Sequence, residues 1–119
     1  ALPILNTSVH NVYLSFNSIG YRNPEKLSLE LQNIQLKILD LSFNKIDDNT
    51  LISLVQALSG SKLSILDLSY NRIELKGLEN LGGVLPKTQI NKINFKGNNI
   101  NTQTREVIRN QCTFVEWMF

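Results

Sequence analysis

The sequence predicts an α/β solenoid of four stacked units, each a strand, a turn, a helix and a return loop, with the strands joined in one parallel sheet. Three observations carry this. Asn17, Asn44, Asn71 and Asn98 recur at a constant spacing of 27 residues. Apolar residues fill the same six slots around each asparagine, eight, five and three positions before it and two, ten and fourteen after it. Within each unit the apolar period changes from two to about 3.6, from strand spacing to helix spacing.

The slots are Val9, Val12, Leu14, Ile19, Leu27 and Leu31 in the first unit, and Leu36, Leu39, Leu41, Ile46, Leu54 and Leu58 in the second. The third supplies Leu63, Leu66, Leu68, Ile73, Leu81 and Leu85, and the fourth Ile90, Ile93, Phe95, Ile100, Ile108 and Cys112. With 42% of residues hydrophobic, filling all these slots by chance has a probability on the order of 10⁻⁹ before correction for choice of register. The strand elements follow from Leu39 and Leu41 alternating with Ile38, Asp40 and Ser42. The helices follow from Leu51, Leu54, Val55 and Leu58, and from Leu78, Leu81 and Leu85. Asp47, Asp48, Asn49 and Thr50 supply N-cap chemistry, and Gly82 and Gly83 are expected to loosen a helix end. Such a unit cannot bury its apolar edge alone, so stacking is forced. Residues 1–119 form one domain, with units at about 9–35, 36–62, 63–89 and 90–116. Residues 117–119 either begin a fifth unit or close the stack, with Trp117 in its leading leucine slot. The opening residues align with the last helical turn of an earlier unit, so truncation at that end is expected.

Composition bounds function. The 19 leucines and 15 asparagines match the repeat, and charged residues make up only 18%. Twelve basic and ten acidic residues give a net charge of +2, too balanced for a nucleic-acid binder. No apolar run approaches the roughly 18 residues of a membrane span, and no Lys/Arg-rich amphipathic face suggests a membrane surface. One cysteine, Cys112, rules out an internal disulfide and fits cytoplasmic-type, reducing chemistry. It occupies a packing slot and reads as a buried thiol. His10 is the only histidine, far from Cys112 in a stack where each unit touches only its neighbours. No catalytic pair, metal motif or phosphate loop is present, so no cofactor and no enzyme activity are expected. Asp47, Asp48 and Asn49 read as helix caps, since no calcium-loop glycine and glutamate follow. The four asparagines read as a ladder, their amides satisfying backbone groups where the chain leaves each strand.

The segments Val9–Ile19 (VHNVYLSFNSI), Leu36–Ile46 (LKILDLSFNKI), Leu63–Ile73 (LSILDLSYNRI) and Ile90–Ile100 (INKINFKGNNI) resemble the leucine-rich-repeat family. Their length and helical stretch are similar to the ribonuclease-inhibitor-like subclass. That subclass favours glycine six positions after the asparagine, where only Gly77 matches. The resemblance implies a right-handed solenoid with the sheet on the concave side, helices on the convex side, and a monomeric, non-enzymatic module that binds another protein. The Asn-, Ile- and Lys-rich composition is similar to effectors of intracellular bacterial pathogens. The implied partner is then a host protein or a bacterial enzyme or effector, inhibited by a module delivered into host cytoplasm. The competing reading is a recognition arm of a larger enzyme, such as a bacterial ubiquitin ligase.

The register gives the concave face as columns. Ile38 and Ile65 adjoin, with Lys92 next to them. Tyr13, Asp40, Asp67 and Asn94 form a second column, Ser15, Ser42, Ser69 and Lys96 a third, and Phe16, Phe43, Tyr70 and Gly97 a fourth. Lys45 and Arg72 flank the rim. Apolar and aromatic anchors within a small charged ring match interface anatomy. The candidate protein-binding residues are therefore Tyr13, Phe16, Ile38, Asp40, Phe43, Ile65, Asp67, Tyr70, Arg72, Lys92 and Lys96. The face is expected to be acidic at its middle and basic toward the C-terminus. The convex helices carry mixed charges and read as solvated.

Overall fold

The structure is a computed structural model that describes residues 11–13, 36–58 and 62–119. Five short strands, β1 (Asn11–Tyr13), β2 (Ile38–Asp40), β3 (Ile65–Asp67), β4 (Lys92–Asn94) and β5 (Glu116–Met118), form one sheet in chain order. Every neighbouring pair is parallel. Ile38 pairs with Ile65 and Ile65 with Lys92, so the side-chain columns read from the sequence are physical columns of the sheet. Three helices, α1 (Asp48–Leu58), α2 (Leu75–Val84) and α3 (Thr102–Gln111), return the chain behind the sheet, with a 3₁₀ turn at Leu85–Lys87 after α2.

The core lies between these layers. Leu39, Leu66 and Ile93 point from the strands toward the helices. Leu51, Leu54 and Val55 from α1, Leu78 and Leu81 from α2, and Ile108 from α3 meet them. All are buried, and each buried aliphatic side chain contributes about 1.5–3 kcal/mol relative to exposure. The starts of α1 and α3 are capped by side chains, whereas α2 starts after Glu74 with no side-chain cap. Asp47 Oδ1 accepts from the Thr50 N–H at 2.9 Å, and Asn101 Oδ1 from the Thr104 N–H at 2.8 Å. Asp48 serves the neighbouring unit instead, accepting from the Glu74 N–H at 2.8 Å.

Gly82 and Gly83 fall in the last turn of α2, which ends at Val84 and passes into the 3₁₀ turn, and one expectation, at Trp117, needs correction. A Cβ on Gly82 would meet the Cδ1 tip of the Ile108 side chain, whereas Gly83 faces open space. Trp117 is not in a leading leucine slot. It pairs with Ile93, and the fourth return is three residues shorter than the others, which places β5 at 116–118. The closing segment is both a strand and a cover. Trp117 and Phe119 pack on Phe95, with ring centroids 6.0 and 6.2 Å away, and Val115 is buried. The Trp117 indole N–H donates to the Cys112 carbonyl at 3.2 Å.

Candidate interaction face

The asparagine ladder shapes the exit from each strand. Asn71 Oδ1 accepts from the N–H groups of Asn44 and Ile46, both at 2.9 Å. Its amide donates to the carbonyls of Leu41, Leu68 and Ser69. Asn98 repeats the pattern one unit later, accepting from Ile73 and donating to Leu68 and Phe95. For these inward amides to reach the gap between units, the preceding residue must turn sharply. Phe43 and Tyr70 do so in the left-handed region, at φ 58° and 55°, with Gly97 at 75°. That conformation costs an L-residue roughly 1–2 kcal/mol. It is held by inter-unit bonds from the Phe43 N–H to the Ser69 carbonyl at 3.1 Å and the Tyr70 N–H to the Lys96 carbonyl at 2.6 Å.

The same turn throws both aromatic rings onto the open face of the sheet. Phe43 and Tyr70 stack with centroids 4.6 Å apart and an interplanar angle of 9°. They keep 42% and 51% of their surface exposed. The Tyr70 ring lies over Gly97, where a Cβ would overlap it. Tyr13 on β1 is 62% exposed. Ile38 and Ile65, side by side on β2 and β3, are half-buried. Asp40 and Asp67 stand between the isoleucines and the aromatic pair, and they too are half-buried. The structure therefore brings Tyr13, Ile38, Asp40, Phe43, Ile65, Asp67 and Tyr70 onto one surface. Phe16, His10 and Ser15 lie outside the described residues.

Three predicted positions differ from the flat columns. Ser42 and Ser69 are buried; their Oγ atoms donate to Asp40 and Asp67 Oδ1 at 2.7 and 2.6 Å, and their N–H groups donate to the same oxygens at 2.9 Å. They close turns and line no surface. Lys92 is not an isolated rim cation, because its Nζ lies 3.7 Å from Glu116. The short fourth return brings Glu116 beside Lys92, so the basic end of the face is partly neutralised. Lys96 is exposed and its N–H donates to Asn94 Oδ1 at 3.0 Å. Arg72 is exposed at the rim, where its backbone bridges to Asp47.

The helical side holds a feature that sequence reasoning passed over. Leu75 and Val107 are 51% and 59% exposed and flank a groove of about 580 Å³ between α2 and α3, floored by Leu78 and Ile108. The signal was present in the repeat. Leu75 stands where the neighbouring units have Asp48 and Thr102, and Val107 where they have Ser53 and Asn80.

Among the described residues no group of His, Cys, Asp or Glu could hold a metal ion. No helix there is long and apolar enough to cross a membrane. Cys112 is buried, its Sγ donating to the Gly82 carbonyl at 3.7 Å, and burial pushes its thiol above the ordinary value of 9.0.

Parallel strands in chain order, returning helices and an inter-unit asparagine ladder make a solenoid with the architecture of leucine-rich repeats. The family model described as Leucine Rich repeat matches residues 32–55 and 61–82. A solved structure, Leiomodin-1 Actin-Binding Site 2 (ABS2), superposes with a TM-score of 0.71 at 17% identity, over 92% of this chain and 70% of that one. That likeness is one of fold. No curated protein matches the sequence. Leucine-rich-repeat domains generally mediate protein–protein interaction.

Proposed function

We propose that the open face of the sheet is the concave docking surface of a non-enzymatic module, and that a partner protein seated there has a functional site covered. The observation that carries this is the grouping of Tyr13, Phe43 and Tyr70, all exposed, with the adjoining Ile38 and Ile65 on one surface. Exposed aromatic clusters of this kind dominate affinity at interfaces. The helix in each of the three described returns supports a place near the ribonuclease-inhibitor-like subclass. The composition supports an effector acting in a reducing host cytoplasm, where a single buried thiol is at no disadvantage.

The test uses substitutions that the repeat itself already tolerates. Ile38→Lys/Ile65→Lys copies Lys92 from the same row. Leu75→Thr/Val107→Asn copies Thr102 and Asn80 on the helical side. Native chain and both variants are immobilised, with folding checked by circular dichroism, and probed with purified actin, as the structural neighbour suggests, and with host and bacterial lysates. The expected result is a partner retained by the helical-side variant and lost, by tenfold or more in affinity, from the isoleucine variant. The reverse pattern rejects the assignment of the face.

A further inference from the structure

One slot on the open face differs between units in a way the fold does not require. Asp40, Asp67 and Asn94 occupy the same position at the strand exit, and each accepts from the N–H two residues on, at 2.9, 2.9 and 3.0 Å. The neutral amide of Asn94 closes this turn, so the turn does not need the charge on Asp40 and Asp67. The two carboxylates nevertheless stand in register on adjacent strands, about 4.8 Å apart in the strand-to-strand direction, where like charges oppose each other.

Among the described residues nothing pairs with their charge, and both turn donors in each unit converge on Oδ1. Oδ2 of each accepts no hydrogen bond from a described residue. Ile38 and Ile65 lie one strand row to one side, and the Phe43–Tyr70 stack lies past the other. The result is a pair of acceptors with an apolar floor and an aromatic wall.

We infer that this surface takes an arginine side chain projecting from the docked protein, flanked in that protein by apolar residues. This rests on the reading of the open face as the docking surface. The guanidinium spans the Oδ2 atoms of Asp40 and Asp67, its methylene stem lies over Ile38 and Ile65, and its plane meets the edge of the aromatic stack. Arginine fits better than lysine on three counts. Its planar fork carries five donors and can serve two carboxylates at once. It is more weakly hydrated than an ammonium, and it packs on aromatic rings.

A phage-displayed library of linear peptides, selected on the native chain, tests this. The expected binders carry an arginine beside apolar residues. Asp40→Asn/Asp67→Asn, which copies Asn94 and keeps the turn, weakens them about tenfold or more, as does replacing the peptide arginine with citrulline. Both changes together weaken binding no further than either alone, and Leu75→Thr/Val107→Asn leaves it unchanged. Peptides that are lost with Ile38→Lys/Ile65→Lys but lack arginine, or are indifferent to the Asn pair, overturn the arginine inference and leave the docking face standing. Peptides lost only with Leu75→Thr/Val107→Asn, or a selection that returns no binder, overturn both.

Discussion

Asn71 shows what one side chain does in a stack. Its carbonyl oxygen accepts from two N–H groups of the unit before it, and its amide reaches carbonyls in both units, so it joins units as well as closing its own turn. A buried donor left unpaired costs about 1–3 kcal/mol. Asn71→Ala strands the Asn44 and Ile46 N–H groups and is expected to lose about 2–6 kcal/mol in urea unfolding. Asn98→Ala strands the Ile73 N–H alone and is expected to lose about half as much. Cys112 gives a pH prediction at the same scale. Burial raises its folded pKa above the unfolded value near 9.0, so its stabilising contribution is complete below that pH and is lost as pH rises through the folded value. Subtracting the stability curve of Cys112→Ala from that of the native chain should leave a difference that is flat to about pH 9 and then falls. The ladder and the buried thiol were legible because they sit at fixed offsets in a repeat. The Asp–Ser turns were not, since alternation assigns Ser42 and Ser69 to the face while their hydrogen bonds draw them under it.

At the scale of the element, the two glycines of α2 separate two effects that a sequence cannot distinguish. Both are helical, so alanine at either removes backbone entropy from the unfolded chain and raises helix propensity. Only Gly82 is met by Ile108. Gly83→Ala is therefore expected to stabilise by about 0.5–1 kcal/mol. At Gly82 the added Cβ crowds only the Cδ1 tip of the Ile108 side chain, so Gly82→Ala is expected to gain less than Gly83→Ala, by the cost of turning that tip aside. Thermal melts of the pair decide the matter, and a lower melting temperature for Gly82→Ala than for the native chain would mean that the Ile108 tip cannot turn aside. The glycines fall in the last turn of α2, close to the helix end expected there, and the stripe of Leu78 and Leu81 carries the helix through them to Val84. α-Helical geometry ends at Val84, just before the 3₁₀ turn Leu85–Lys87 that holds Pro86. The left-handed Phe43 and Tyr70 were not legible. Their conformation is imposed by bonds to the next unit, not by their own preference.

At the scale of the whole molecule, the described units form a row in which each is stabilised by its neighbours. At the C-terminal end the fourth unit is covered by β5 and three parallel rings. Trp117 and Phe119 lie 5.7 Å apart, and Arg105 and Arg109 stand over the Phe119 ring at 5.5 and 5.0 Å. The sequence placed apolar residues here but not their register, because three residues missing from a return loop leave no trace in a pattern read at a constant period. That shortening puts Trp117 opposite Ile93, where it continues the column of Leu39 and Leu66 across the sheet. Trp117→Ala should therefore act as loss of a terminal unit and not as a local cavity. It is expected to cost about 2–4 kcal/mol, with amide exchange rising first in β5, β4 and α3 while β2 and β3 stay protected until global unfolding. A uniform rise across all strands would instead show that the row unfolds as one cooperative block. The closing segment would then stabilise the open face of β2 and β3 from three and two strands away, tying the proposed docking face to β5.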